Sequence, residues 1–161
     1  MRTYWLDANV YIQAANGPYS FDLAPKFWIF LSEKLRDGQI RSPRMVFEEV
    51  TNYVDYLATW SRQRRKLGLG VAASREVQEA YGQIANYVYQ NAKRHHADEF
   101  CSGGDGWVIA HALAMGSDGI VVTHETPRSA KGKIKVPIIC DVFGVKWINL
   151  YQMLTELKFK F

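Results

Sequence analysis

Four carboxylic acids in this chain stand where a fold can bring charge together. Asp7 follows Thr3-Tyr4-Trp5-Leu6, a short aromatic and apolar run that reads as a buried strand. Glu125 lies just past a second such run, Gly119-Ile120-Val121-Val122-Thr123. Glu49 and Asp105 fall on predicted helices close to turns. In open α/β sheets, sites form beyond the carboxyl ends of the strands. If the four acids converge there, two carboxylates about 4 Å apart repel by roughly 4 kcal/mol at an effective dielectric near 20. Such a set either retains protons or takes up divalent cations. Oxygen-only ligands favour Mg²⁺ or Mn²⁺ over zinc. A carboxylate-bound Mg²⁺ keeps several waters and accepts phosphate oxygens, which suits phosphodiester hydrolysis.

Each acid also has a plainer reading. Asp105 can simply start its helix, where an acid favours the positive end of the dipole. Asp7 can be an Asx-turn residue after a strand, and Glu125 a solvated loop acid. Glu48 competes with Glu49, but the spacing of Val46, Val50 and Tyr53 turns position 49 nearer the buried face. His95-His96 beside Asp98-Glu99 has the residue types of a metal cluster. Adjacent side chains on a helix point apart, which argues against it. Gly68-Leu69-Gly70-Val71-Ala72-Ala73 spells a dinucleotide fingerprint, but it follows Arg64-Arg65-Lys66-Leu67 rather than a buried strand, so it is set aside.

The elements that must position these acids follow from periodicity and punctuation. After the first strand, Asn16-Gly17-Pro18 breaks the chain. Pro25 opens a helix that buries Phe27, Phe30, Leu31 and Leu35 and stops at Asp37-Gly38. Gln39 to Ser42 is a weak strand. Ser42-Pro43 reads as an N-cap and first helical position for the helix carrying Glu49. Residues 53 to 60 are expected to continue helically, and a long helix is expected from about Ser74 to Lys93. Residues 55–97 are read together as a helical arm on the core. Asp105 opens onto a compact helix, Trp107 to Met115. Arg128 to Lys135 is a polar, basic loop. Val145 to Ile148 is a last strand, and Asn149 caps a final helix. This alternation predicts one α/β domain over residues 1–161 with a mostly parallel sheet.

Composition narrows the class. The chain has 161 residues, the size of one domain, and its 48% hydrophobic content excludes a disordered segment. Two cysteines, Cys101 and Cys140, are too few for a disulfide framework and form no C-x-x-C pair, so a reducing cytoplasm is the simplest compartment. No run of about 18 apolar residues is long enough for a membrane span. The formal charge of +4 is concentrated. Residues 61–97 hold seven Lys/Arg and two Glu, a surplus of +5, and the remaining thirteen basic and fourteen acidic residues leave −1. Arg62, Arg64, Arg65 and Lys66 either contact RNA phosphates or keep the segment soluble.

Four short stretches carry a resemblance to PIN-domain nucleases. Asp7-Ala8-Asn9-Val10-Tyr11-Ile12 resembles their first motif. Ser42-Pro43 with Val46-Phe47 and Glu49-Val50 is similar to their second, a helix with an inward Glu. Gly104-Asp105-Gly106-Trp107-Val108-Ile109-Ala110 resembles the third, an Asp opening an apolar helix. Val121-Val122-Thr123-His124-Glu125 resembles the fourth, a strand ending in Thr-x-acid. They occur in the family's order between residues 4 and 125. The fourth motif departs in having Glu125 where Asp is more usual, and the segment between the second and third is longer than in minimal members.

The resemblance implies a three-layer α/β/α fold and a Mg²⁺- or Mn²⁺-dependent endoribonuclease. Asp7, Glu49 and Asp105 would hold the metal, with Glu125 completing the site, and Asn9 and Thr123 would steady the ligands by hydrogen bonds. It further implies the toxin half of a bacterial toxin–antitoxin pair, with a cognate antitoxin and pairing of two copies. The rival from another class is an inactive RNA- or protein-binding module on the same fold.

Overall fold

The computed structural model describes residues 1–53, 55–128 and 132–161. Four parallel strands form one sheet in the order β2-β1-β3-β4: β1 (Thr3–Leu6), β2 (Ile40–Arg41), β3 (Gly119–Val122) and β4 (Lys146–Ile148). The two central strands, β1 and β3, are buried along their whole length, as their continuous apolar runs require of strands covered on both faces. Nine α-helices among the described residues flank the sheet in a three-layer α/β/α arrangement. They are α1 (Ala8–Ala15), α2 (Pro25–Asp37), α3 (Arg44–Val50), α4 (Tyr56–Gln63), α5 (Arg75–Asn91), α6 (Arg94–Ser102), α7 (Asp105–Ala114), α8 (Val136–Phe143) and α9 (Leu150–Glu156). No helix among the described residues is long and apolar enough to cross a membrane.

Register does the positioning. Leu6 lies opposite Val122, and Val122 opposite Ile148. Parallel pairing therefore ends β1 and β3 at the same level. The Asp7 amide donates to the Val122 carbonyl at 3.2 Å, and the Thr123 amide to that of Ile148 at 3.0 Å. Helix α7 packs directly over β1 and β3. Its approach needs Gly119, because a Cβ there would run into the Ala112 carbonyl.

Several sequence expectations are met at their punctuation. Pro25 opens α2, and Gly38 closes it in the left-handed conformation at φ 80°. Ser74 caps α5 through the Val77 amide, and Asn149 forms a reciprocal capping box with Gln152 at α9.

Others are corrected. Ser42 does not cap α3. Its hydroxyl is buried, donates to the Leu6 carbonyl at 2.9 Å and pairs with the Tyr11 hydroxyl at 2.7 Å, so it ties β2 to β1 and α1 instead. The helix expected to continue over residues 53–60 is a separate one that begins at Tyr56. Thr51 ends α3, and Asp55 starts α4 afresh by accepting from the Ala58 amide at 2.8 Å.

The segment 55–97, expected as an arm, lies against the core. Val77, Ala80, Ile84 and Val88 of α5 are buried, and Tyr81 stacks on Trp107 of α7 with ring centroids 3.8 Å apart. Helix α8 is an element the periodicity did not announce. Its local signals are Pro137 in the first turn and Gly144, at φ 69°, as the closing residue.

Candidate active site

Asp7 ends β1 and caps α1, its Oδ1 accepting from the Val10 amide at 3.2 Å. It is 1% exposed, and its Oδ2 is buried with no hydrogen-bond partner. Burial raises its pKa to about 7, and the nearby charge of Glu125 adds to the rise, while the Thr123 hydroxyl and the Val10 and Asn9 amides oppose it. Asp105 is the first residue of α7, which turns it back over the strand ends. Burial comes first in lifting its pKa to about 8, followed by the charges of Asp7, Glu125 and Glu49, with Lys135 opposing. Asp105 thus feels all three other acids and stands at the electrical centre of the group.

Glu49 and Glu125 each engage one oxygen with a backbone amide. Glu49 Oε1 accepts from the Gly104 amide at 2.5 Å, which pins α3 to the start of α7. Burial raises its pKa and that hydrogen bond lowers it. Neighbouring Glu48 is exposed and pairs with Arg44 at 3.7 Å on the outer face, so Glu49 is the more buried of the two glutamates. Glu125 Oε2 accepts from the Val136 amide at 2.7 Å, at the first turn of α8. Its own amide donates to Thr123 Oγ1 at 3.1 Å. Thr123 therefore stands beside both Asp7 and Glu125. Asn9 contributes its backbone amide beside Asp7, and its side chain makes no hydrogen bond among the described residues.

Asp105 and Glu125 line a cavity of about 160 Å³ together with Lys133, Lys135 and His96. Neither lysine stands out in the sequence, where both fall within a basic loop. The signal available is their position eight and ten residues after Glu125, the acid at a strand end. His95 and His96 do not point apart: their rings are 3.9 Å apart. His96 turns into the cavity with its Nδ1 buried and unpartnered.

The four basic residues expected to contact RNA do not line the cavity beside Asp105 and Glu125. Arg64 is structural, donating to Ser32 Oγ at 2.5 Å and to the Trp60 carbonyl at 3.0 Å, with its guanidinium over the Trp60 ring. Arg62 donates to the Thr51 carbonyl at 3.0 Å. Arg65 lies over the Phe47 ring. Phe47 is two residues from Glu49, about 200° round the helix, so Arg65 covers the face of α3 turned away from the acids. Lys66 is exposed.

The family model called domain of unknown function (DUF4411) matches residues 4–161. The chain belongs to the DUF4411 family. Neither a curated protein nor a solved structure matches it. In this DUF4411 chain Asp7, Glu49, Asp105 and Glu125 offer carboxylate oxygens, with His96 Nδ1 beside Asp105 and Glu125, and the unpartnered Oδ2 of Asp7 is the buried acceptor a hard cation would satisfy. Among the described residues, no three His, Cys, Asp or Glu side chains are gathered tightly enough to cage a metal ion. Glu49 and Glu125 each have one carboxylate oxygen held by a backbone amide.

Proposed function

We propose that this chain is a PIN-like, Mg²⁺- or Mn²⁺-dependent endoribonuclease that hydrolyses RNA phosphodiester bonds at Asp7, Glu49, Asp105 and Glu125. The observation that carries the reading is the pairing of a buried, half-unsatisfied Asp7 with Asp105, both pushed towards neutral pH by burial and by the charges of neighbouring acids. A protein that holds two carboxyls at about 7 and 8 has them poised to exchange protons for a divalent cation at physiological pH.

Asp7 and Asp105 would hold that cation from the rigid strand end and helix start. Glu49 and Glu125 would join through the oxygen that each leaves free of the Gly104 and Val136 amides. When bound, the metal supplies a water of lowered pKa and charge stabilisation for the phosphate. Thr123 and the Val10 amide keep Asp7 oriented throughout. The role of toxin, with a cognate antitoxin, is the biological setting that the resemblance adds to this reading.

The test is cleavage of a panel of labelled RNAs by the purified chain with Mg²⁺, with Mn²⁺ and with chelator. Cleavage is expected only with metal, and Asp7→Asn is expected to abolish it. Cleavage that survives chelation, or survives in the Asn variant, overturns the assignment.

A further inference from the structure

The cavity beside Asp105 and Glu125 is lined by acids and lysines together, and one of those lysines is held in place by the site itself. Lys135 is the residue before α8 and has an extended backbone. The next residue, Val136, is buried and donates its amide to Glu125 Oε2 at 2.7 Å. Lys135 is therefore tethered one residue from a site acid rather than carried on a free loop. Two residues earlier, Lys133 also lines the cavity and pairs with Glu99 at 3.9 Å.

Among the described residues Lys135 forms no ion pair. It lines the cavity together with Asp105 and Glu125 and is in ion-pair contact with neither. A phosphodiester entering this cavity meets acids, so a positive group is needed to hold its oxygens. Arg62, Arg64, Arg65 and Lys66 do not line the cavity.

We infer that Lys135 binds a non-bridging oxygen of an RNA backbone phosphate at the mouth of the Asp105–Glu125 cavity, and so sets where the backbone lies relative to the acids. This rests on the nuclease reading above. It makes Lys135, rather than the basic stretch 62–66, the phosphate contact closest to the chemistry. A lysine that only balances the acids, or only supports the start of α8, would behave differently from a phosphate ligand. Removing a phosphate ligand weakens RNA binding and leaves the acids more negative, so RNA and metal affinity move in opposite directions.

The experiment uses the full chain. Anisotropy of a fluorescently labelled single-stranded RNA is measured in Mg²⁺ over a range of salt, in the Asp7→Asn background, with and without Lys135→Ala. Loss of one charge-assisted phosphate contact is expected to weaken binding about tenfold and to lower the salt slope by about one. Lys135→Arg is expected to restore most of both. Calorimetry with Mn²⁺ alone on the Lys135→Ala chain is expected to show affinity equal to or tighter than the native chain's. Lys135→Gln, of similar length, serves in place of the Ala variant if the latter melts early.

Unchanged RNA affinity and salt slope overturn the inference, as does a parallel loss of Mn²⁺ and RNA binding. If the native chain cleaves RNA with metal while Lys135→Ala binds RNA like its parent, the inference alone falls. If the native chain does not cleave RNA, the nuclease reading falls and takes the inference with it.

Discussion

Asp7→Asn should make the metal-free protein more stable, and increasingly so as the pH rises. The side chain is nearly isosteric, and Asn caps a helix as well as Asp, so the bond from the Val10 amide is kept. What changes is the ionisation. Asp7 has an ordinary value of 3.8 and a folded value of about 7. Below pH 3.8 both states are protonated and the shift costs nothing. Between 3.8 and 7 the unfolded chain ionises while the folded chain keeps its proton, so stability falls steadily as pH rises. Above 7 the folded carboxyl ionises too and the loss levels off.

At pH 5 the cost is about 2 kcal/mol, and at pH 8 about 4 kcal/mol. The advantage of the Asn variant over the native chain should therefore grow by about 2 kcal/mol between these pH values, or about 4–8 °C in Tm for a domain of this size. Loss of the Asp7 charge also relieves Asp105, which acts in the same direction. The assay is thermal unfolding followed by circular dichroism in chelator at pH 5, 6.5 and 8. Adding Mn²⁺ at about a hundred times its Kd should raise the native chain alone by about 2.7 kcal/mol, narrowing or reversing the gap. A gap in chelator that does not change with pH would refute the claim that Asp7 is held protonated by burial.

Three further outcomes rest on individual contacts. Glu49→Gln should reduce metal-dependent cleavage by about a hundredfold or more, while Glu48→Gln, on the exposed face, should leave it within about twofold; even the groups that merely support metal ligands typically cost about 10–100-fold when removed, and single-turnover assays of both variants check it. Gly119→Ala should destabilise the fold by about 1–3 kcal/mol or more, because its methyl group meets the Ala112 backbone rather than a movable side chain; urea denaturation reads this directly. Arg64→Ala should lower the urea midpoint by the equivalent of about 1–3 kcal/mol through its lost bonds to Ser32 and Trp60, whereas Lys66→Ala should leave it unchanged within about 0.5 kcal/mol.

The amino-acid order by itself determined the class of fold and the principal acids. Continuous apolar runs in β1 and β3 announce strands buried on both faces, and such strands form a parallel sheet whose carboxyl edge gathers the residues just beyond them. Asp7 and Glu125 were legible because they come immediately after those runs. Glu49 over Glu48 was legible because Val46 and Val50 set the buried side of α3. Capping residues and glycines marked most helix ends, since those signals act within one turn.

Tertiary structure decided what depends on neighbours distant in the chain. Ser42 had every local credential of a cap, yet a buried hydroxyl satisfied by Leu6 and Tyr11 outweighed the local bond. The segment 55–97 had helical periodicity but no indication of its partner, and the stack of Tyr81 on Trp107 laid it on α7. The charge surplus at positions 61–97 suggested where RNA would bind, but charge counted along a sequence carries no direction. Packing turned Arg64 onto Ser32 and Trp60 and Arg65 onto Phe47, and the Glu125–Val136 bond brought Lys135 to the acids. Local physics names the residues able to do chemistry, and long-range packing selects which of them meet.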